Sequence, residues 1–343
     1  MAEFTEIQWC DGTLNLWTGC TKVSEGCRFC YAEQMRDGRF GKGEWGPKGI
    51  RTEAKSWRST LEKISRRAKA ENRRLRVFCQ SMSDTFEGPE TCGGVDSDNW
   101  RLISKLQDDL HEAIWTHPEL DFLLLTKRPE VIHQRLTYFT RDLMNGDYPA
   151  PNLWLGTSVE NQEQADQRIP HLLAIEAKVR FLSCEPLLGP VRLDRLVDDE
   201  VGANWNALEM GIDWVICGGE SGKDARPMHP EWARSLRDQC QKAEVAFHFK
   251  QWGEWAPRRT DNVVWDEHLG QLLPMVIASS TDRKRVGTKL FHAYPSEREE
   301  PPGAAKSHPG RFSYFDEMNK VGKKAAGRLL DGREWNEFPE VKG

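Results

Sequence analysis

Three cysteines near the start of the chain carry the clearest chemical signal in the sequence. In TGCTKVSEGCRFCYAE, six residues separate Cys20 from Cys27 and two separate Cys27 from Cys30. Cysteine thiolates are the usual ligands of iron–sulfur clusters, and three of them leave one iron of a [4Fe–4S] cluster without a protein ligand. Catalytic metal sites differ from structural ones by such an open position. The trio therefore predicts a cluster that binds a substrate directly.

Two other uses of these cysteines fit the sequence. Structural zinc takes four ligands, and Cys10 could complete the set, which gives the alternative of a zinc-stabilised nucleic-acid-binding protein without catalysis. Cys27 and Cys30 alone would form a redox dithiol, but that leaves Cys20 unexplained. Disulfides are not expected, because the absence of a signal peptide and of a long apolar run predicts a cytoplasmic protein with no membrane partner.

Charge makes nucleic acid the leading substrate class. The net charge of −5 argues against wholesale wrapping by nucleic acid, but it allows a local basic groove. KISRRAKAENRRLR, residues 63–76, holds seven basic residues and one acidic residue, and NKVGKK follows at 319–324. Basic stretches of this kind can follow phosphates, although a solvated helix face is their more common role.

Six short apolar segments predict buried strands that alternate with helical patterns. An earlier strand is expected near TLNLW, and the six segments are RVFCQSMSD, DFLLLTKRP, NLWLGTSVEN, VRFLSCEPL, DWVICGGESG and VAFHFKQWGEW. Such a series of βα units predicts an α/β fold with a complete or partial (β/α) barrel of the TIM type, and a doubly wound open sheet is the alternative.

The βα rhythm stops near residue 255. We therefore assign residues 1–255 to the barrel, with the cluster loop at 20–30, and residues 256–343 to a C-terminal extension. The extension is expected to be partly irregular, with a flexible loop at AYPSEREEPPGAAKSHPGR and a basic helix that ends before Gly332.

The motifs around the cysteines resemble a known superfamily. A C-x-x-C-Y motif with an upstream cysteine on a βα barrel is similar to the radical S-adenosylmethionine superfamily, although three residues, not six, commonly separate its first two cysteines. GCTKVSEGCRFCYAE, LTKRPE, VRFLSCEPLLGPV and KKAAGRLLDGREWNEFP also resemble a phage-associated three-cysteine-motif family, similar to spore photoproduct lyase-like proteins.

The resemblance implies an activity, a cofactor and a partner. One electron from the cluster would cleave S-adenosylmethionine into methionine and a 5′-deoxyadenosyl radical. The electron donor would be of the flavodoxin or ferredoxin type. The enzyme would be a lyase or a modifying enzyme that acts on a nucleic-acid base, as in the repair of DNA lesions.

Polar residues after the second strand are candidates for binding S-adenosylmethionine. The superfamily often places a Gly-Gly-Glu motif there, which binds the methionine amino group. This chain has Ser81, Ser83 and Asp84 at that position instead. Its own Gly-Gly-Glu, Gly218 to Glu220, follows about the sixth strand, where it is either a ligand contact or a plain turn.

The remaining candidates lie at the ends of later strands, where barrel enzymes place their active sites. Lys127 could meet a carboxylate or phosphate, and Ser158 with Glu160 could bind ribose hydroxyls. Glu185 follows the next strand, and Lys250 with Gln251 ends the last; all three are expected to contact substrate. A weaker alternative is a hydrolase that uses Glu185 and Glu220 as paired carboxylates.

Overall fold

Seven parallel strands form one curled sheet that makes half of a barrel, with helices packed around it. The computed structural model describes residues 5, 7–132, 135, 150–198, 203–257, 263–266, 271–274, 288–290 and 317–340. The strands are β1 (Gly12–Leu14), β2 (Leu75–Cys79), β3 (Leu120–Thr126), β4 (Leu153–Ser158), β5 (Val179–Cys184), β6 (Trp214–Gly218) and β7 (Ala246–Gln251).

The order of the strands decides between the two predicted architectures. Each strand pairs in parallel with the next strand along the chain, from β1 to β7. A doubly wound sheet reverses this order at its switch point, so that alternative is excluded. The described residues show no pairing between β1 and β7, so the barrel is partial. All six predicted strands and the earlier one at TLNLW are confirmed.

In the described part of the chain, four long helices connect the strands on the outer face. They are α1 (Trp57–Glu71), α2 (Asp98–Thr116), α3 (Gln162–Leu173) and α4 (Pro230–Lys242). Side-chain caps begin three of them: Ser97 accepts a hydrogen bond from the Trp100 amide, Asn161 accepts one from the Gln164 amide, and the His229 ring accepts one from the Glu231 amide. The helical pattern PEVIHQRLTYFTRDLM lies mostly outside the described residues. Among the described helices, none is long and apolar enough to cross a membrane.

Short elements surround the half-barrel. Two-stranded ribbons pair Trp17–Thr18 with Thr52–Glu53, Leu196–Asp198 with Ala203–Trp205, and Val263–Asp266 with Gln271–Pro274. A three-stranded antiparallel sheet contains Trp255–Pro257, Glu317–Lys320 and Thr288–Leu290. The short helices are Glu25–Cys27, Tyr31–Glu33, Gln34–Arg39, Pro89–Thr91, Pro129–Val131 and Lys323–Ala326.

The helix predicted near the C-terminus is much shorter than expected. Its basic residues begin in the strand Glu317–Lys320, and only Lys323–Ala326 is helical. Glycines flank this single turn: Gly322 has φ +87° and Gly327 has φ +71°. Because both lie in the left-handed region, the helix cannot extend through either of them. The predicted loop at 293–311 lies outside the described residues.

The concave side of the sheet is filled by its own apolar cluster. The buried members are Trp9, Cys10, Phe78, Leu123, Trp154, Val179, Phe181, Trp214 and Ile216. Gly156 is required there, because a Cβ atom at this position would lie 2.5 Å from the Phe181 ring. This inner core is separate from the larger core between the sheet and the helices.

Residues 335–338 cover the free edge of β7. The Phe249 amide donates to the Trp335 carbonyl at 2.9 Å, and the Glu337 amide donates to the Phe247 carbonyl at 3.2 Å. The guanidinium of Arg76 in β2 lies 3.7 Å from the centre of the Phe338 ring. An exposed edge strand invites pairing with other chains, and this segment removes that exposure.

His248 is a buried histidine between the inner core and the C-terminal segment. It has no exposed surface, and neither ring nitrogen has a hydrogen-bond partner among the described residues. Burial, together with the nearby charges of Arg328, Lys250 and Arg76, lowers its pKa to about 3. Below pH 6.5 the unfolded chain therefore binds a proton that the folded chain excludes, so stability falls as the pH falls from 6.5 towards 3.

We predict that His248→Leu reduces this acid sensitivity. Between pH 6.5 and pH 5, this one histidine should lower the unfolding free energy of the wild type by about 2 kcal/mol. The variant lacks the histidine and should not show that part of the decrease. Denaturant titrations at both pH values measure the difference. His171→Gln, at an exposed histidine, should keep the wild-type dependence. Equal slopes for His248→Leu and the wild type would contradict the prediction.

Candidate functional site

A cavity of about 630 Å³ lies at the carboxyl ends of the strands. This size is within the range of small-molecule sites. Twelve of the thirteen candidate side chains line it, namely Cys20, Cys27, Cys30, Ser81, Ser83, Asp84, Lys127, Ser158, Glu185, Glu220, Lys250 and Gln251. The sequence therefore identified the wall of one cavity, although its residues come from segments far apart along the chain.

The three cysteines of the loop differ from the others in exposure. Cys20, Cys27 and Cys30 are half-buried and line the cavity, whereas the other six cysteines are buried. The turn Glu25–Cys27 and a hydrogen bond from the Cys30 amide to the Cys27 carbonyl (3.3 Å) shape the loop. Among the described residues, no three His, Cys, Asp or Glu side chains form a group that could hold a metal ion. The thiols share a cavity but do not converge as they stand.

Cys10 does not belong to this site. It is 6% exposed, it is part of the inner core, and it is absent from the cavity wall. Cys10 therefore does not share the cavity wall with Cys20, Cys27 and Cys30, as a zinc ion bound by all four would require.

Arg128 joins the start of the cysteine loop to the end of β3. Its guanidinium lies 2.9 Å from an Asp84 oxygen and 3.8 Å from the Cys20 sulfur, and it also donates to the Thr21 carbonyl. Burial acts to raise the pKa of Asp84, but Arg128 and the Thr126 hydroxyl outweigh it and hold that pKa below its usual value. The Asp84 carboxylate is thus engaged within the protein as an anchor for Arg128.

Glu160 lies beneath the loop instead of on the cavity wall. Its carboxylate accepts from the Ser24 hydroxyl at 3.0 Å, and it pairs with Lys127 at 3.3 Å and with Arg168 at 2.8 Å. A Cβ atom on Gly26 would lie 2.3 Å from a Glu160 oxygen, so position 26 has room only for glycine. Glu160 therefore positions the loop, and its predicted contact with ribose is not tested by this geometry.

The Gly-Gly-Glu motif forms a third attachment of the loop. Both Glu220 oxygens pair with Arg226, and that guanidinium also lies 2.7 Å from a Glu25 oxygen in the loop. A Cβ atom on Gly219 would lie 2.0 Å from the Trp252 carbonyl oxygen, so this glycine meets a packing need. Glu220 still borders the cavity, but its charge is balanced by Arg226.

The sequence analysis also missed Gln80 and Arg51. Gln80, at the end of β2, is 3% exposed and lines the cavity in a left-handed conformation (φ +62°). Its oxygen accepts from the Leu16 amide at 2.8 Å, while its buried amide nitrogen has no partner among the described residues. Arg51 forms a fully buried pair with Glu87 and donates to the Thr21 hydroxyl of the loop. Gln80 could have been found from its position at the start of QSMSD, directly after a predicted strand. No pattern in the sequence pointed to Arg51.

The basic stretch at 63–76 lies away from the cavity. It forms most of α1 and leads into the amino end of β2, at the opposite end of the sheet from the cavity. At least five of its seven basic side chains pair with carboxylates of the described residues, in the pairs Arg67–Glu71, Lys69–Glu119, Arg73–Asp11, Arg74–Asp121 and Arg76–Asp11. This stretch therefore provides no path for phosphates into the cavity.

We predict that Arg226→Met loosens the cysteine loop. Loss of a partly buried charged donor should raise hydrogen exchange in residues 20–30 about tenfold, measured by mass spectrometry of the folded protein. Arg234→Met is the matched control, because Arg234 also bridges two carboxylates, Glu231 and Asp331, that lie outside the loop. Unchanged exchange in Arg226→Met would show that this attachment is dispensable.

Comparisons with known proteins give one result. No curated protein and no solved structure matches the chain significantly. A family model described as a protein of unknown function (DUF5131) matches residues 4–339, which is nearly the whole chain. The chain therefore belongs to the DUF5131 family.

Proposed function

We propose that the protein is a radical S-adenosylmethionine enzyme that acts on a nucleic-acid base. Cys20, Cys27 and Cys30 would hold a [4Fe–4S] cluster, and the rest of the cavity would take S-adenosylmethionine and the base. One observation carries the proposal: the three half-buried cysteines line the same cavity as the polar ends of the strands. Three thiols beside a cavity suit a cluster with one iron open to a ligand.

The surroundings of the cysteines suit such a group. Three thiolates bring negative charge, and Arg128 beside Cys20 with Lys127 on the same wall would offset part of it. When bound, the cluster would supply the electron that splits the sulfonium. The floor of the cavity is apolar, because Trp9 and Phe78 of the inner core reach its wall, and they would keep water from a reactive radical.

The composition of the cavity wall supports a nucleobase as substrate. Three aromatic residues of the wall that are not buried can stack on flat rings, namely Phe29, Tyr31 and Trp45. Four lysines, Lys22, Lys127, Lys250 and Lys323, can meet phosphate or base acceptors. Ser81, Ser83 and Ser158 add hydroxyls, which suit the ribose and the methionine end of S-adenosylmethionine.

Anaerobic reconstitution with iron and sulfide tests the cluster. We expect a brown protein with about four irons per chain and a broad absorption at about 400 nm. With dithionite in place of the flavodoxin or ferredoxin type of donor, added S-adenosylmethionine should yield 5′-deoxyadenosine. Ala substitutions at Cys20, Cys27 and Cys30 should each abolish the absorption and the product.

Cys10→Ala is the matched control for this experiment. It removes a cysteine outside the cavity and should leave the iron content and the product unchanged. The proposal is wrong if the wild-type protein takes up no iron. It is also wrong if the protein binds one zinc that is lost in Cys10→Ala, because that result identifies the structural zinc site.

A further inference from the structure

Glu185 and Lys250 form an ion pair on the cavity wall, at the edge of the sheet opposite β1. Glu185 directly follows β5, and Lys250 lies in β7. The Lys250 ammonium lies 3.1 Å and 3.2 Å from the two carboxylate oxygens. The side chains are 13% and 21% exposed, so the pair is largely buried but reaches the cavity.

A bulge in the sheet turns Lys250 towards the cavity. Cys217 is opposite Phe249 and Gly218 is opposite Gln251, so Lys250 is the extra residue in β7. Such bulges re-aim side chains, and here Lys250 and Gln251 both line the cavity although they are consecutive. A regular strand would send one of them to the opposite face.

The neighbouring strand leaves room for the carboxylate. A Cβ atom on Gly218 would lie 2.4 Å from a Glu185 oxygen, so no other residue fits there while Glu185 keeps this position. The bulge in β7 and the glycine in β6 are independent backbone features. Both are needed to place the pair on the wall.

This pair differs from the other buried pairs of the molecule. Arg51 also donates to the carbonyls of Glu44 and Gly49, and Glu160 accepts from Lys127, Arg168 and Ser24. Glu185 and Lys250 have side-chain bonds only to each other in the described part of the chain. At least one ammonium hydrogen and the remaining carboxylate lone pairs are therefore left for a ligand.

We propose that the Glu185–Lys250 pair recognises the edge of a nucleobase in which a carbonyl lies beside a ring N–H, as in guanine. Lys250 would donate to the carbonyl oxygen, and Glu185 would accept from the ring N–H. The edge of a neutral base can make both hydrogen bonds while the ion pair between Lys250 and Glu185 stays intact. A zwitterionic ligand such as an amino acid would pair with each charge and would have to separate the two side chains. The aromatic residues of the same wall would stack on the ring.

This inference takes its class of substrate from the proposed function, but its test is separate. The binding of guanosine to the metal-free protein can be measured by calorimetry, and it requires neither the cluster nor S-adenosylmethionine. If the protein binds guanosine but does not take up a cluster, only the proposed enzymatic function is wrong. If it takes up a cluster but does not bind guanosine, only the proposed recognition by Glu185 and Lys250 is wrong.

We expect guanosine to bind and N1-methylguanosine, which lacks the ring N–H, to bind at least about tenfold more weakly. Lys250→Met and Glu185→Gln should each weaken guanosine binding by a similar factor, and Lys250→Arg should restore most of it. Lys69→Met is the matched control, because Lys69 also pairs with a glutamate, Glu119, at 3.1 Å, outside the cavity. It should bind guanosine as the wild type does.

Three results would overturn the proposal. The first is equal affinity for guanosine and N1-methylguanosine, and the second is unchanged affinity in Glu185→Gln when circular dichroism shows a folded variant. The third is binding of alanine in place of guanosine, which would show that the pair receives a zwitterion. Glu185→Gln keeps the size of the side chain, so it decides the matter if Lys250→Met fails to fold.

Discussion

The cysteine loop depends on charged side chains that reach it from the sheet. The loop buries little apolar surface of its own, and polar contacts hold it at three strand ends: Arg128 after β3, Glu160 after β4, and Arg226 after β6. The contacts of Arg128 and Glu160 are partly buried, where charges interact more strongly than in water, whereas the Arg226–Glu25 contact is exposed. Because the three come from different strands, the loop can take this position only when the curled sheet has formed.

The apolar core and the cavity occupy different parts of the half-barrel. Apolar side chains fill the concave face and are covered at the open edge by residues 335–338. The carboxyl ends of the strands carry polar side chains, and the cavity lies there. This arrangement explains why residues from six strands meet the three cysteines although the sheet does not close. It also makes the end of the chain part of the sheet that supports the site.

Local patterns were sufficient for much of the fold. Apolar runs of four to six residues with polar ends identified every strand of the sheet, because a strand buried on both faces leaves a continuous apolar signature. The same patterns placed Ser81, Lys127 and Glu185 at the carboxyl ends, which a parallel sheet brings to one edge. The C-terminal helix was overestimated, because the basic pattern did not register the left-handed conformations of Gly322 and Gly327.

Pairings between distant residues could not be predicted in this way. The contact of Arg226 with Glu25 joins positions 201 apart, and no local pattern reports such a partner. The bulge at Lys250 depends on the register between two strands, which is a property of the sheet and of neither strand alone. Whether a carboxylate anchors the loop, as Glu160 does, or faces the cavity, as Glu185 does, was therefore decided only in three dimensions.

The sequence alone determined the residue types of the site, the strands that carry them and the shared edge on which they lie. It could do so because side-chain chemistry and strand burial are local properties of the chain. Only the tertiary structure decided which charges neutralise one another and which remain available to a ligand. That distinction depends on distances of about 3 Å between side chains far apart in sequence, and hydrogen bonding weakens quickly beyond that range.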